Sequence, residues 1–188
     1  MIKGKRLILR PLKDEDWQVL EAWGEDRDAL WGPYQRFQLD HLPLLRQAYQ
    51  RNGLLSRDSG FFMIELIEGR QVVGFVRYTL IPFPDEDLPY PEIGFGIPDA
   101  SARGQGYAKE AVALLVGYLF AGYPVQRLAA FTDVENLPAM CLLESLNFQC
   151  EGVLRRSSFR DGRWCDLALY GLLREEWEPG TNPVIPDG

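Results

Sequence analysis

Gly104 and Gly106 stand two residues apart in Ile97-Pro-Asp-Ala-Ser-Ala-Arg-Gly-Gln-Gly-Tyr-Ala108, a segment that leaves a strand-like run and opens a helix. The run before it is Pro91-Glu-Ile-Gly-Phe-Gly-Ile97. Behind it, Ala108, Ala111, Val112, Leu115, Val116, Leu119 and Phe120 keep the spacing of one buried helical face. Such a junction can hold an anion. The first N–H groups of a helix have no partner within it, and the helix dipole favours negative charge there. Glycine removes the side chains that would keep a phosphate from those amides. A tight turn ahead of a helix satisfies the same spacing, so the rest of the chain has to decide between the two.

The elements around the loop follow from patterning. Arg6-Leu-Ile-Leu-Arg-Pro11 reads as a first strand closed by proline. Asp14 to Trp23 reads as a helix with acids in its first turn and Trp17, Leu20 and Trp23 on its buried side. Gly24 to Gln38 is loop-like around Trp31-Gly-Pro-Tyr34, and a second helix covers Leu42 to Arg51 and stops near Gly53. His41 is expected to be exposed at the start of that helix. Phe61 to Ile67 and Gln71 to Leu80 form a hairpin about Glu68-Gly-Arg70, and proline-rich, acidic Ile81 to Tyr90 reads as a solvated connector.

In the next strand Ile93, Phe95 and Ile97 share one face and Glu92, Gly94 and Gly96 the other, where glycines mark close approach of a backbone or a ligand. Beyond the glycine-loop helix come a strand from Arg127 to Thr132 and a short helix from Pro138 to Asn147. The latter buries Ala139, Leu142, Leu143 and Leu146. Cys150 to Phe159 and Trp164 to Leu173 form a last hairpin about Asp161-Gly162. Residues 179–188 read as a disordered tail, leaving 1–178 as a single domain. Strands on both sides of a central helix, with hairpins at each end, indicate an α/β (α+β) fold with a mixed sheet.

Composition narrows the function classes. The 188 residues carry a formal charge of −7 and are 46% hydrophobic and 25% charged, as expected of one ordinary domain with a real core. A pI of about 4.8 argues against nucleic-acid binding, which rests on clustered lysine and arginine. No signal-peptide core or membrane-length apolar run is seen, so a soluble cytoplasmic protein without membrane contact is expected. Cys141, Cys150 and Cys165 lack Cys-x-x-Cys spacing and read as reduced core residues. A single histidine excludes a multi-histidine metal site, so no metal is expected.

Two phosphate-binding patterns fail. The Walker A sequence is absent. The dinucleotide fingerprint should follow its strand directly, whereas six residues separate Ile97 from Gly104; Lys109 stands at its third glycine, and no acid lies about 20 residues on.

A third pattern fits. Arg103-Gly-Gln-Gly106-Tyr-Ala108 resembles the Arg/Gln-x-x-Gly-x-Gly/Ala pyrophosphate loop of the GNAT superfamily of N-acetyltransferases. Asn136-Leu-Pro-Ala-Met-Cys-Leu-Leu-Glu-Ser-Leu-Asn-Phe148 resembles the family's Asn-x-x-Ser/Ala…Glu-x-x-Gly-Phe segment, with Asn147 in place of the usual glycine. Arg6 to Pro11 and Asp166 to Trp177 resemble the first and closing strands of the branch that includes the ribosomal-protein amino-terminal acetyltransferases. The resemblance spans residues 6 to 177.

It implies a GNAT-type mixed, mostly antiparallel central sheet flanked by helices, and acetyl-CoA as co-substrate. The pyrophosphate is expected on the amides of Gly104, Gln105, Gly106, Tyr107 and Ala108, with Arg103 near the loop. The pantetheine arm is expected along Phe95, Gly96 and Ile97, as an extra strand would pair. Asn136 faces the cofactor in the family, although a helix cap explains it equally well. The acceptor is an amine on a small molecule or a protein N-terminus, recognised by Trp31 to Phe37, Phe83 to Tyr90 and the last hairpin. A homodimer is left open.

Glu92 is the expected general base, directly or through water, because it shares the glycine face ahead of the cofactor strand. An N–H near Phe95 to Ile97 would meet the developing oxyanion. The family's serine and tyrosine proton donors are replaced by Ala139 and Leu143. Cys141 is expected to face the core. A catalytically weak acyl-CoA-binding module is therefore the alternative.

Overall fold

The computed structural model describes residues 1–30, 32–82 and 85–177; Trp31, Phe83, Pro84 and the tail expected over 179–188 lie outside them. Its centre is one eight-stranded sheet: β1 (Ile2–Lys3), β2 (Leu7–Pro11), β3 (Ser59–Leu66), β4 (Val72–Ile81), β5 (Tyr90–Gly96), β6 (Arg127–Asp133), β7 (Gln149–Arg160) and β8 (Arg163–Leu173). The strands run in the order β1-β2-β3-β4-β5-β6-β8-β7, and every neighbouring pair is antiparallel except β5 with β6. The helices are α1 (Asp16–Glu25), α2 (Arg27–Leu30), α3 (His41–Asn52), α4 (Tyr107–Gly122) and α5 (Leu137–Glu144). None of the described helices is long and apolar enough to cross a membrane.

Two short elements escape patterning. β1 is two residues long and exists because Ile2 and Lys3 pair with Leu9 and Ile8, a contact no local period announces. α2 is a single turn inside the segment expected to be loop.

Side chains alternate across the sheet, and at β3 both faces are covered. Phe62 and Ile64 of β3 join a core with Leu115, Val116 and Leu119 of α4, while Phe61 and Met63 join a second core with Trp17 and Leu20 of α1. This is why Phe61-Phe-Met-Ile64 is continuously apolar and not alternating. Ile93, Phe95 and Ile97 all pack with the α4 core, as the face analysis of β5 predicts.

α1 is tied to the sheet by charge. Arg10 of β2 holds Asp16 with two hydrogen bonds (Nη1 to Oδ2 2.6 Å, Nη2 to Oδ1 2.8 Å) and pairs through Nε with Glu65 of β3. All three are about 3% exposed. Arg70 Nε reaches the other Glu65 oxygen at 2.6 Å. Burial works to raise the Asp16 pKa, but the bonds from Arg10 and the Lys13 amide outweigh it and hold it below the ordinary value. The acid expected to serve the helix dipole serves this pair instead.

Turn chemistry explains the connections. Gly69 and Arg70, and Asp161 and Gly162, take positive φ at the two hairpin turns, and Gly53 ends α3 in the left-handed conformation. Asn147 adopts φ +66° where the family carries glycine, a conformation asparagine tolerates, so the turn into β7 is kept. The carbonyls at the end of α4 are collected by Arg174, which donates to Phe120, Tyr123 and Val125 at 2.5–2.8 Å.

One expectation is overturned. Cys141 and Cys150 are exposed, and only Cys165 is buried. Cys141 lies on the outer side of α5 because Ala139 and Leu143 occupy the inner one. Cys150 sits on edge strand β7, whose outer face nothing covers among the described residues.

Candidate active site

β5 and β6 run side by side only at Glu92↔Ala129 and Ile93↔Ala130. Beyond Ile93, β5 continues beside β4 as far as Gly96↔Phe75, while β6 continues beside β8 as far as Asp133↔Leu167. The two strands part, and a cavity of about 560 Å³ occupies the opening. Glu92 and Phe95 of β5, Asn136 ahead of α5, and Ala139 and Leu143 within it line one cavity, together with Arg77 of β4 and His41 of α3.

The glycine face of β5 works differently from its expected role. Arg77 lies opposite Gly94 and Phe75 opposite Gly96, and a Cβ on either glycine would meet that side chain within 3 Å. The missing side chains make room for an arginine and a phenylalanine from the neighbouring strand. Arg77 is thereby laid beside Glu92, with Nη1 2.9 Å from Oε2. The Glu92 side chain is only 13% exposed. Burial pushes its pKa up, and the Arg77 ion pair pulls it partly back, with a net rise above the ordinary carboxylate value. A carboxyl group of raised basicity in a cleft has the properties of a general base.

The glycine loop lies where β5 ends. Gly104 and Gly106 both take positive φ (+73° and +80°), and Gly106 is the N-cap of α4. Nothing stands within 4 Å of where a Cβ on Gly104 would be. The Arg103 guanidinium donates to the carbonyls of Ile97 (2.8 Å), Pro98 (3.1 Å) and Asp28 (3.2 Å), so its charge ties the loop to β5 and α2. Arg6 reaches the loop from the start of β2. It donates to the Gln105 carbonyl (2.8 Å), pairs with Glu110 (2.8 Å) and lies over the Tyr107 ring, 4.8 Å from its centroid. Burial tends to raise the Glu110 pKa, but the Arg6 bonds hold it low. Ala108 is half-buried in the first turn of α4.

Asn136 combines both of its expected roles. Its Oδ1 accepts from the Ala139 amide at 3.4 Å as the N-cap of α5, and the residue also lines the cavity. His41 is not the exposed residue anticipated. It lines the cavity, and burial together with the charge of Arg77 holds its pKa below the ordinary value, against Asp40. Of the segments expected to meet an acceptor, Tyr34 to Arg36 and Ser158 line the cavity. None of Asp85 to Tyr90 does, and Tyr90 packs beneath Arg127.

Arg77, Arg6 and Arg160 were not foreseen. Arg160, about 2% exposed, pairs with Asp133 at 2.9 Å and donates to the Pro33 carbonyl, fixing the Tyr34 segment against the last hairpin. The one available signal was for Arg77, a lone charge within the apolar strand Val72 to Ile81. Among the described residues no group of three or more histidine, cysteine, aspartate or glutamate side chains could hold a metal ion.

The model of the acetyltransferase (GNAT) domain family matches residues 6–149, with the parted strands and the glycine loop inside the match. The chain belongs to the GNAT acetyltransferase family. It is accordingly an acetyl-CoA-dependent acyltransferase. The uncharacterized N-acetyltransferase p20 of Bacillus licheniformis is 31% identical over 176 residues, covering 92% of this chain and 96% of the relative. A GNAT-family acetyltransferase from Bacillus anthracis shares the fold with a TM-score of 0.77 at 24% identity, over 93% of this chain and 98% of the other. The same GNAT fold occurs in the Vibrio cholerae spermidine N-acetyltransferase, solved with CoA and spermine. Its TM-score is 0.73 at 21% identity, over 92% of this chain and 98% of that one. RimL, the ribosomal L7/L12 α-N-protein acetyltransferase, has a TM-score of 0.73 at 16% identity, over 90% and 95% of the two chains.

Proposed function

We propose that this protein transfers the acetyl group of acetyl-CoA to a primary amine by direct attack on the thioester, with Glu92 as general base. The observation that carries this reading is the largely covered Glu92 carboxyl, of raised pKa, at the point where β5 and β6 part. The relatives named for spermidine and for a ribosomal-protein N-terminus both use amine acceptors, which supports the coarse acceptor class.

The loop suits a diphosphate. Gly104 leaves open space, and the first amides of α4 have no helical acceptor. Gly104 to Ala108 would hold the pyrophosphate through those amides, and Arg103 and Arg6 keep the loop in shape through its carbonyls. Phe95 to Ile97, which lack a β6 partner, would take the amide-bearing arm as a strand would. Asn136 borders the same opening. Bound acetyl-CoA supplies an activated acyl group.

Glu92 takes the proton that an ammonium must lose before it can react. A free α-amine, with a pKa of about 7.7–8.0, asks less of that base than a lysine amine at about 10.4. Ala139 and Leu143 offer no proton donor on their wall of the cavity, and solvent would supply the departing thiolate's proton. That same absence favours a second reading, an acyl-CoA-binding domain without turnover. Thiol release on a panel of amines and N-terminal peptides, run beside thermal shifts with CoA, separates the two. Stabilisation by CoA with no thiol released on any acceptor selects the binding module.

Gly106→Val is expected to weaken CoA binding by at least about tenfold, because a branched side chain blocks the amides at a residue whose φ is +80°. Calorimetric CoA affinity equal to the wild type would show that the phosphates lie elsewhere. Gly94→Ala tests Arg77. The new Cβ would lie 2.8 Å from Arg77 Nε, so the flexible guanidinium must swing away from Glu92. Losing that cation raises the Glu92 pKa further, and the acid limb of the kcat/KM profile moves to higher pH. An unmoved limb would dissociate Arg77 from the base.

A further inference from the structure

We propose that the acceptor is an amine carrying a carboxylate on an apolar body, and that Arg36 selects it; this inference rests on the acetyltransferase reading and sharpens its acceptor. The charges around the cavity carry it. Six titratable side chains line the space: Tyr34, Arg36, His41, Arg77, Glu92 and Asp133. Asp133 is already committed, with Oδ2 2.9 Å from Arg160 and Oδ1 accepting from the Glu135 amide at 2.9 Å. Glu92 gives Oε2 to Arg77. Its other oxygen has no donor among the described residues and is left for the reacting ammonium.

Arg36 has no carboxylate partner among the described residues. With the carboxylates paired, the cavity keeps, among the described residues, one guanidinium to spare and no second anion. A polyamine would set its additional ammonium groups beside Arg36 and Arg77 with nothing to receive them. A carboxylate finds in Arg36 a planar, always charged fork suited to two hydrogen bonds. Leu20, Leu42, Phe61 and Phe75 line the same space, so part of its wall is apolar. Amine at Glu92, carboxylate at Arg36 and hydrocarbon against these apolar side chains describe a hydrophobic amino acid or short peptide with a free C-terminus.

Calorimetry on the CoA-saturated protein decides this, with leucine and leucyl-leucine each titrated beside its C-terminal amide, and spermidine as the polycation. At least one acid is expected to bind about tenfold more tightly than its amide, and more tightly than spermidine. The acid-to-amide ratio should fall to about one in Arg36→Gln and invert in Arg36→Glu. Arg36 is exposed, so thermal midpoints close to the wild type are expected for both variants. Overturning results are amides or spermidine binding as well as the acids, no acid binding at all, or a ratio that neither variant moves. Thiol release from acetyl-CoA with the same compounds is read separately. Acid-selective binding without any release would sink the transferase reading and leave the acceptor class standing. Release with spermidine preferred would do the reverse.

Discussion

Glu92→Gln is expected to lower kcat by about 10²- to 10⁴-fold, the usual contribution of a positioned general base, while CoA affinity stays within about twofold of the wild type. Glutamine keeps the shape of the side chain and an oxygen for Arg77, which lies 2.9 Å from the carboxylate. What it loses is the capacity to take a proton. The amides of residues 104–108, where the pyrophosphate is proposed to lie, are beyond the end of β5, so phosphate binding there should not register the change. The pH profile supplies an independent readout. Burial raises the Glu92 pKa, so the wild-type rate should fall on the acid side through a limb above the ordinary carboxylate range. That limb should vanish in the glutamine variant. Unaltered turnover and an unaltered acid limb would remove Glu92 as the base.

Arg10→Ala is expected to cost about 3–5 kcal/mol of stability, because it strands two buried carboxylates. Asp16 and Glu65 are each about 3% exposed and lean on the same guanidinium, while Arg70 reaches only Glu65. In a chain of this length the loss corresponds to a fall of about 10 °C in the thermal midpoint. Removing all three charges together (Arg10→Met with Asp16→Leu and Glu65→Leu) should recover much of it, since an apolar replacement leaves nothing uncompensated. The sign with pH follows from Asp16, whose folded pKa is depressed. Its contribution is complete above the unfolded value of about 3.9 and is lost as pH falls through the lower folded value. Denaturant melts of wild type and Arg10→Ala should therefore converge toward low pH. A gap that does not narrow as pH falls would assign the loss to packing and not to the ion pair.

The helix behind the glycine loop was legible because its signal is local and repeated. Ala111, Val112, Leu115, Val116 and Leu119 declare one buried face at a 3.6-residue period, and all are buried. The strands around Glu92 were legible for a similar reason, and the face assignment of Ile93, Phe95 and Ile97 agrees with the core they join. Charged residues were harder to place. Asp16, Arg77 and His41 all look at home on a solvated surface, and each is instead drawn inward by a partner or neighbour distant in sequence: Arg10 and Glu65 for the first, the Glu92 cavity for the other two. The cysteines erred the other way. Apolar neighbours in sequence said nothing about which side of α5 Cys141 would take, and Ala139 and Leu143 hold the inner side.

By itself the sequence determined the glycine loop, because two residues with positive φ and a helix start are local properties of the chain at Gly104 and Gly106. It likewise determined the helical and strand periods, and through Arg103 to Ala108 and Asn136 to Phe148 the family. The tertiary structure alone decided where β5 and β6 part, because pairing that stops at Ile93↔Ala130 depends on β4 and β8 pulling the strands to opposite sides. It alone decided that Gly94 yields its space to Arg77, and that the Arg77 guanidinium therefore rests on Glu92. Backbone conformation is written residue by residue. The meeting of two charges across a sheet depends on register, and register is set by the whole set of strands at once.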